Sequence, residues 1–208
     1  MFRTLCTLAM LAFASPALAH HPLNGLPMDS LADGILSGIG HPLLGFDHLF
    51  FVLLAGVASA KARIGQRGIG AYLLMMALGC WLVSRGLDIS GQEPMILTSL
   101  LLLGGLVAYQ QSGKALLYLG LLALFGLFHG AAFGETITAA EITAGPRVLA
   151  GYLAGLIAVQ WLMAASAGAF ARRLPPLHIR LAGAMALGAG MVLGLDALEG
   201  PLVRQLIG

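Results

Sequence analysis

Charged side chains are scarce in this sequence. They make up 10% of its 208 residues, whereas hydrophobic residues make up 59%; a soluble domain carries roughly 25% charge. Too little charge remains to cover a water-facing surface, and the apolar residues come in runs of the ~17 or more that cross ~30 Å of hydrocarbon. The composition excludes an ordinary soluble domain and predicts an all-α, polytopic membrane helix bundle.

Cysteine and reactive motifs are also nearly missing. Cys6 lies in the N-terminal leader and Cys80 is alone in an apolar run, so the mature chain can form no internal disulfide and no thiolate metal site is predicted. The net charge of +2 comes without a basic run, so nothing points to nucleic acid. No nucleotide-binding loop, H-E-x-x-H or serine-based constellation is present, so neither ATP coupling nor an enzyme is predicted.

The first residues are typical of a signal peptide. Arg3 precedes an apolar stretch from Leu5 to Phe13, and small residues occupy the A-x-A positions before His20. We expect cleavage after Ala19, so that residues 1–19 are removed and 20–208 form one membrane domain. An uncleaved first helix is the weaker alternative, because the run is too short to span a membrane and Pro16 breaks it.

Six later segments are long enough to cross. They are expected at His41–Ala60, Gly68–Gly86, Pro94–Gln110, Ala115–Phe133, Val148–Phe170 and Arg180–Leu198, with Gly134–Arg147 as a loop. Glycines four apart in these spans, such as Gly130 and Gly134, predict close helix packing.

The basic residues give the spans a direction. If the mature N-terminus is periplasmic, seven basic residues lie on the cytoplasmic side and three on the other, as the positive-inside rule requires for an inner-membrane protein. All nine acidic residues and five of the six histidines then lie towards the periplasm, and only His178 is inside. This asymmetry points to cation capture on the outer face, although topology selection alone could also produce it.

The first candidate site is the segment His41–His48. Pro42 is expected in the first turn of a helix, which places His41 and His48 two turns and ~10 Å apart on one face. Asp47 and His48 then lie inside the membrane, where ionisable pairs usually serve function. A structural Asp–His hydrogen bond is the alternative.

Two further elements accompany that segment. His129 lies in an apolar run with Glu135 six residues later, and Gly130 and Gly134 between them could let the helix unwind or let another helix approach. Glu93 lies at the start of a predicted span and, taken alone, is weak evidence for a metal site. Imidazole with carboxylate suits Ni²⁺, Co²⁺, Zn²⁺ or Mn²⁺ better than Cu⁺, Mg²⁺ or Ca²⁺.

These segments resemble a known family. Residues 36–49 (LSGIGHPLLGFDHL), the Phe128-His129-Gly130 triplet, and Glu93 with the patch at 96–100 resemble the HupE/UreJ family of nickel/cobalt permeases over nearly the whole chain. The resemblance implies uptake of Ni²⁺ or Co²⁺ as transported substrate, with no prosthetic group, and roles for His41, Asp47, His48, Glu93 and His129. Phe133 departs from the pattern, since many members carry a second histidine there.

The predicted new N-terminus is a separate hypothesis. His20 and His21 would offer an amine, an amide and two imidazoles to a metal at the pore mouth. A disordered or simply packed terminus is the alternative.

Four functions remain open at this level. The leading one is a permease that takes divalent metal ions from the periplasmic face, with membrane lipid as its surroundings and homo-oligomerisation open. The membrane potential would supply ~4.6 kcal/mol per 100 mV for a divalent cation. The alternatives are a membrane haem protein with His48 and His129 as axial ligands, an intramembrane metalloenzyme, and a non-transporting accessory or sensor protein.

Overall fold

The described part of the chain is entirely helical. The computed structural model describes residues 28–109, 114–140 and 145–207, so the predicted leader and His20-His21 lie outside it. Within these ranges there is no strand, and the predicted all-α fold is confirmed. The helices are α1 (Leu31–Leu44), α2 (Phe46–Lys61), α3 (Gln66–Ser84), α4 (Gln92–Ala108), α5 (Ala115–Ala140), α6 (Pro146–Ala171) and α7 (Pro176–Ile207).

Four of the described helices, α3, α5, α6 and α7, are long and apolar enough to cross a membrane. Helices α1 and α2 meet that condition only as a pair, bent by 85° at their junction, and α4 is a shorter apolar helix of 17 residues. Large apolar side chains point outward, with Leu74 and Leu116 70% and 78% exposed. Such exposure is expected where lipid, rather than water, surrounds the bundle.

The predicted start of the first span is wrong. Pro42 does not begin a helix but lies inside α1, which begins at Leu31 after a capping box formed by Ser30 and Asp33. The chain then breaks at Gly45, which has an extended backbone, and α2 begins at Phe46. Proline leaves one helical carbonyl without its N–H partner, and α1 continues for only two residues beyond it.

The predicted loop Gly134–Arg147 is also too long, because α5 continues to Ala140. The Thr136 hydroxyl donates to the Ala132 carbonyl at 3.2 Å and the Thr138 hydroxyl to the Gly134 carbonyl at 3.0 Å. These i−4 bonds satisfy polar side chains on the helix itself, so the drop in hydropathy did not mark its end.

Glycines set the closest helix contacts. Helix α5 packs against α3 so tightly that a Cβ at Gly130 would collide with the Met76 carbonyl oxygen, and one at Gly134 would meet Val83 Cβ at 2.7 Å. The predicted close packing there is confirmed, and the helix does not unwind. At Gly194, by contrast, an added Cβ would meet nothing within 4 Å.

Candidate metal-binding site

The break at Gly45 brings the first candidate residues together in an unexpected way. His41 lies in the last turn of α1, while Asp47 and His48 lie in the first turn of α2. The prediction that both histidines share one face of one helix, ~10 Å apart along its axis, is therefore wrong: their ring centroids are 5.8 Å apart across the bend. A Cβ at Gly45 would meet His48 Cδ2 at 2.9 Å, so a larger residue there would push the His48 ring from its position.

Asp47 sits at the N-terminus of α2. Its Oδ1 accepts the His48 backbone N–H at 2.8 Å, and its Oδ2 is 4.0 Å from His48 Nε2. An acid in the first turn is favoured by the helix dipole. The Asp47 side chain is one-third exposed, whereas that of His48 is 8% exposed. The carboxylate therefore forms the more accessible edge of the site.

His48 and His129 meet inside the bundle. Their Nδ1 atoms are 2.9 Å apart, within hydrogen-bond distance, although 81 residues separate them in the chain. His129 is fully buried and stacks on Phe51 with a centroid separation of 4.0 Å. The two histidines that the sequence predicted at similar depth are thus direct partners.

Ser99 of α4 occupies the other side of His129. Its Oγ is 3.1 Å from His129 Nε2 and donates to the Ile96 carbonyl at 2.6 Å. Sequence reasoning did not single out Ser99 as a site residue. Ser99 lies in the patch at 96–100 that carries part of the family resemblance, but small hydroxyl residues are common in membrane helices and gave no sign of a role at the site.

The ring of His41 has its own polar partner. Tyr152 Oη is 3.2 Å from His41 Nδ1 and donates to the Phe133 carbonyl at 3.3 Å. The Phe133 ring packs beside both histidines, with its centroid 5.0 Å from that of His41 and 4.4 Å from that of His48. Phe133 therefore forms an aromatic wall of the site.

The two glutamates lie elsewhere. Glu135 is exposed and accepts a hydrogen bond from Gln92 Nε2 at 2.6 Å, which joins it to the first turn of α4, next to exposed Glu93. The structure therefore brings Glu135 to the start of α4 rather than to His129. Gln92, which is buried, was also missed from the sequence.

A second group of buried polar residues lies away from the histidines. The Tyr72 hydroxyl donates to Gln160 Oε1 across α3 and α6. Gln160 Nε2 and Ser59 Oγ are buried with no hydrogen-bond partner among the described residues. Phe51, which stacks on His129, also contacts Tyr72 edge to face at 5.3 Å. A single aromatic ring thus links the two groups.

Neighbouring ligand types do not yet make a closed metal site. Across residues 28–109, 114–140 and 145–207, no three His, Cys, Asp or Glu side chains are placed so that one ion could bind them all. His41, Asp47 and His48 are close neighbours whose side chains would have to adjust around an ion.

The fold and this cluster define a class: a helical membrane protein with imidazole and carboxylate groups gathered at a broken helix. The chain belongs to the HupE/UreJ family, since the family model described as HupE / UreJ protein matches residues 8–193. It is 31% identical over 157 residues to Protein HupE of Rhizobium leguminosarum bv. viciae, an alignment covering 73% of this chain and 74% of that protein. No solved structure matches the chain. The family predicted from the sequence motifs is confirmed.

Proposed function

We propose that this protein is a secondary permease that carries Ni²⁺ or Co²⁺ inward across the inner membrane. The observation that carries the proposal is the convergence of His41, Asp47 and His48 at the bend between α1 and α2. Ionisable side chains within membrane helices are expensive and mark ion pathways by default. Breaks in membrane helices are likewise where transporters place ion sites.

The spacing of the two imidazoles suits a shared ion. Two histidine rings bound to one ion through bonds of ~2.1 Å have centroids ~5–6.5 Å apart for bond angles from tetrahedral to linear. The His41 and His48 centroids are 5.8 Å apart. Asp47, beside His48, would add an oxygen ligand and a negative charge, which completes a donor set suited to borderline divalent metals.

An incomplete site is consistent with transport. An ion that must move on has to bind well enough to enter and weakly enough to leave. A cluster that only approaches ligating geometry, with a partly exposed carboxylate, would hold a metal that keeps some of its water. A structural metal site would instead be closed by protein ligands.

The proposal includes six crossings behind a cleaved signal peptide. The bent pair α1–α2 and the shorter α4 would cross together with the four long helices. With the mature N-terminus periplasmic, the His41–His48 bend lies towards the periplasm and the Arg172-Arg173 turn towards the cytoplasm. Metal would enter near Asp47, assisted by His20-His21, Glu93 and Glu135 at the mouth, and the membrane potential would draw it inward.

The haem alternative does not suit the His48–His129 pair. Axial ligands lie on opposite faces of a macrocycle, with nitrogens about 4 Å apart for bonds of ~2 Å each. The two Nδ1 atoms are 2.9 Å apart and hydrogen-bonded to each other, with no macrocycle-sized gap between the rings. A purified sample with visible Soret absorbance would reverse this conclusion.

Uptake of radioactive Ni²⁺ and Co²⁺ into cells tests the proposal. Wild type, Asp47→Asn, His48→Ala and His129→Ala would be compared at matched membrane abundance. The control is His178→Ala, which removes an exposed histidine at the start of α7. We expect full uptake with the control, and strongly reduced uptake with Asp47→Asn and His48→Ala. Equal accumulation in all five strains, or none above the empty vector, would refute transport and favour an accessory role.

A further inference from the structure

A continuous set of hydrogen bonds runs from α4 through α5 to the proposed metal site. Ser99 donates its hydroxyl proton to the Ile96 carbonyl at 2.6 Å, the shorter of the two Ser99 contacts. The hydroxyl oxygen can therefore only accept in its 3.1 Å contact with His129 Nε2. His129 must then carry its proton on Nε2.

That assignment determines which His48 nitrogen donates to His129. A neutral imidazole with a proton on Nε2 has only a lone pair on Nδ1. The 2.9 Å contact between the two Nδ1 atoms then requires His48 to donate, so the His48 proton is on Nδ1. In neutral His48 the Nε2 then keeps its lone pair, and this is the nitrogen 4.0 Å from Asp47 Oδ2.

We propose that Ser99 and His129 are positioning residues, which hold His48 in the tautomer whose Nε2 lone pair is available to the metal ion beside Asp47. This inference rests on the proposed function and refines it. His129 then acts through His48 and is not itself a ligand, since both of its ring nitrogens are engaged and its ring is stacked on Phe51. Metal-ligating histidines commonly donate their second N–H to such a partner, which fixes tautomer and ring orientation.

The first test measures the tautomer without requiring transport. Histidine-selective ¹⁵N labelling of the full chain in lipid bilayers distinguishes protonated from bare ring nitrogens, and the His48→Asn spectrum assigns the His48 signals. We expect His48 with protonated Nδ1 and bare Nε2, and a shift towards the other tautomer in Ser99→Ala. The matched control is Thr98→Ala, whose hydroxyl donates to the Pro94 carbonyl at 2.7 Å. A His48 with bare Nδ1 in wild type, or no change in Ser99→Ala, would overturn the inference.

The second test separates positioning from ligation. Asparagine at position 129 can place a carbonyl near the Nδ1 position and still accept from His48, but lacks an imidazole. We expect Ser99→Ala to raise the apparent KM for Ni²⁺ about two- to ten-fold with little change in maximal rate, since one neutral hydrogen bond biases a two-state equilibrium by about that factor. His129→Asn, which keeps the acceptor, should raise the KM by no more than that. Ser99→Thr, which keeps the hydroxyl, should restore the KM.

The outcomes distinguish the positioning role of His129 from the permease function itself. If His129→Asn abolishes uptake while Asp47 and His48 variants behave as proposed, His129 is a ligand and the inference fails while transport stands. If wild type takes up no metal, the permease proposal fails, and the bilayer spectrum still decides whether His48 is held in the stated tautomer.

Discussion

Replacing Asp47 with asparagine isolates the charge of the site from its local structure. Asparagine has the same shape, and its side-chain oxygen can still accept the His48 backbone N–H that Asp47 Oδ1 accepts at 2.8 Å. The bend and α2 should therefore be retained. What is lost is one negative charge beside the lone pair proposed to bind metal.

The distance in the structure gives the size of the effect. His48 Nε2 is 4.0 Å from Asp47 Oδ2, so an ion bound to Nε2 on the side facing Asp47 lies within roughly 4 Å of the carboxylate, where one unit charge pair is worth ~1 kcal/mol in water and ~4 kcal/mol near a protein surface. For a divalent ion these values double to ~2 and ~8 kcal/mol before desolvation. Because the side chain is one-third exposed, we expect the lower part of this range, or about a thirty-fold or greater rise in Kd.

Calorimetric titration of Ni²⁺ into the purified protein in nanodiscs measures this change. The control is Asp88→Asn, which removes an exposed carboxylate in the turn between α3 and α4. The thermal midpoints of both variants should equal that of wild type. A Kd for Asp47→Asn within about three-fold of wild type (less than ~0.7 kcal/mol) would refute the electrostatic reasoning.

Three further substitutions test the packing and the walls of the site. Gly130→Ala should destabilise the protein by about 1–3 kcal/mol because its Cβ collides with the Met76 carbonyl, whereas Gly120→Ala, whose Cβ meets nothing within 4 Å, should not; equal thermal midpoints would contradict this. Phe133→His places an imidazole beside both site histidines, so the Kd for Ni²⁺ should fall about ten-fold or more and transport should slow. An unchanged Kd in calorimetry would count against the proposed site. Ser59→Ala removes a buried hydroxyl that has no partner among the described residues, so the midpoint should stay or rise; a clear fall would show an unseen partner.

Hydropathy located the long helices well but could not detect the bend. The run that holds α1 and α2 is mostly apolar, so composition gives no sign of an 85° change of direction. Proline is common in the first turn of a helix, and this preference led to the wrong predicted start of the first helix. The bend itself is seen only in the backbone, which is extended at Gly45 between the two helices.

The sequence identified most residues of the site, but it could not predict which of them contact one another. His48 and His129 stood out because ionisable groups in apolar runs are rare. Their direct contact depends on how α2 and α5 pack, and the role of Ser99 depends on which way its hydroxyl points. Glu135 was grouped with His129 by its spacing in the sequence, whereas in the fold it accepts a hydrogen bond from Gln92.

Metal flux into proteoliposomes tests the permease proposal most directly, because these vesicles contain no other protein. Purified wild type and His48→Ala would be reconstituted with a Ni²⁺-sensitive dye inside, and an inside-negative potential imposed. We predict Ni²⁺ entry that grows with the potential in wild type and falls to the protein-free level in His48→Ala. Folded wild-type protein that admits no more metal than protein-free vesicles would contradict the permease proposal.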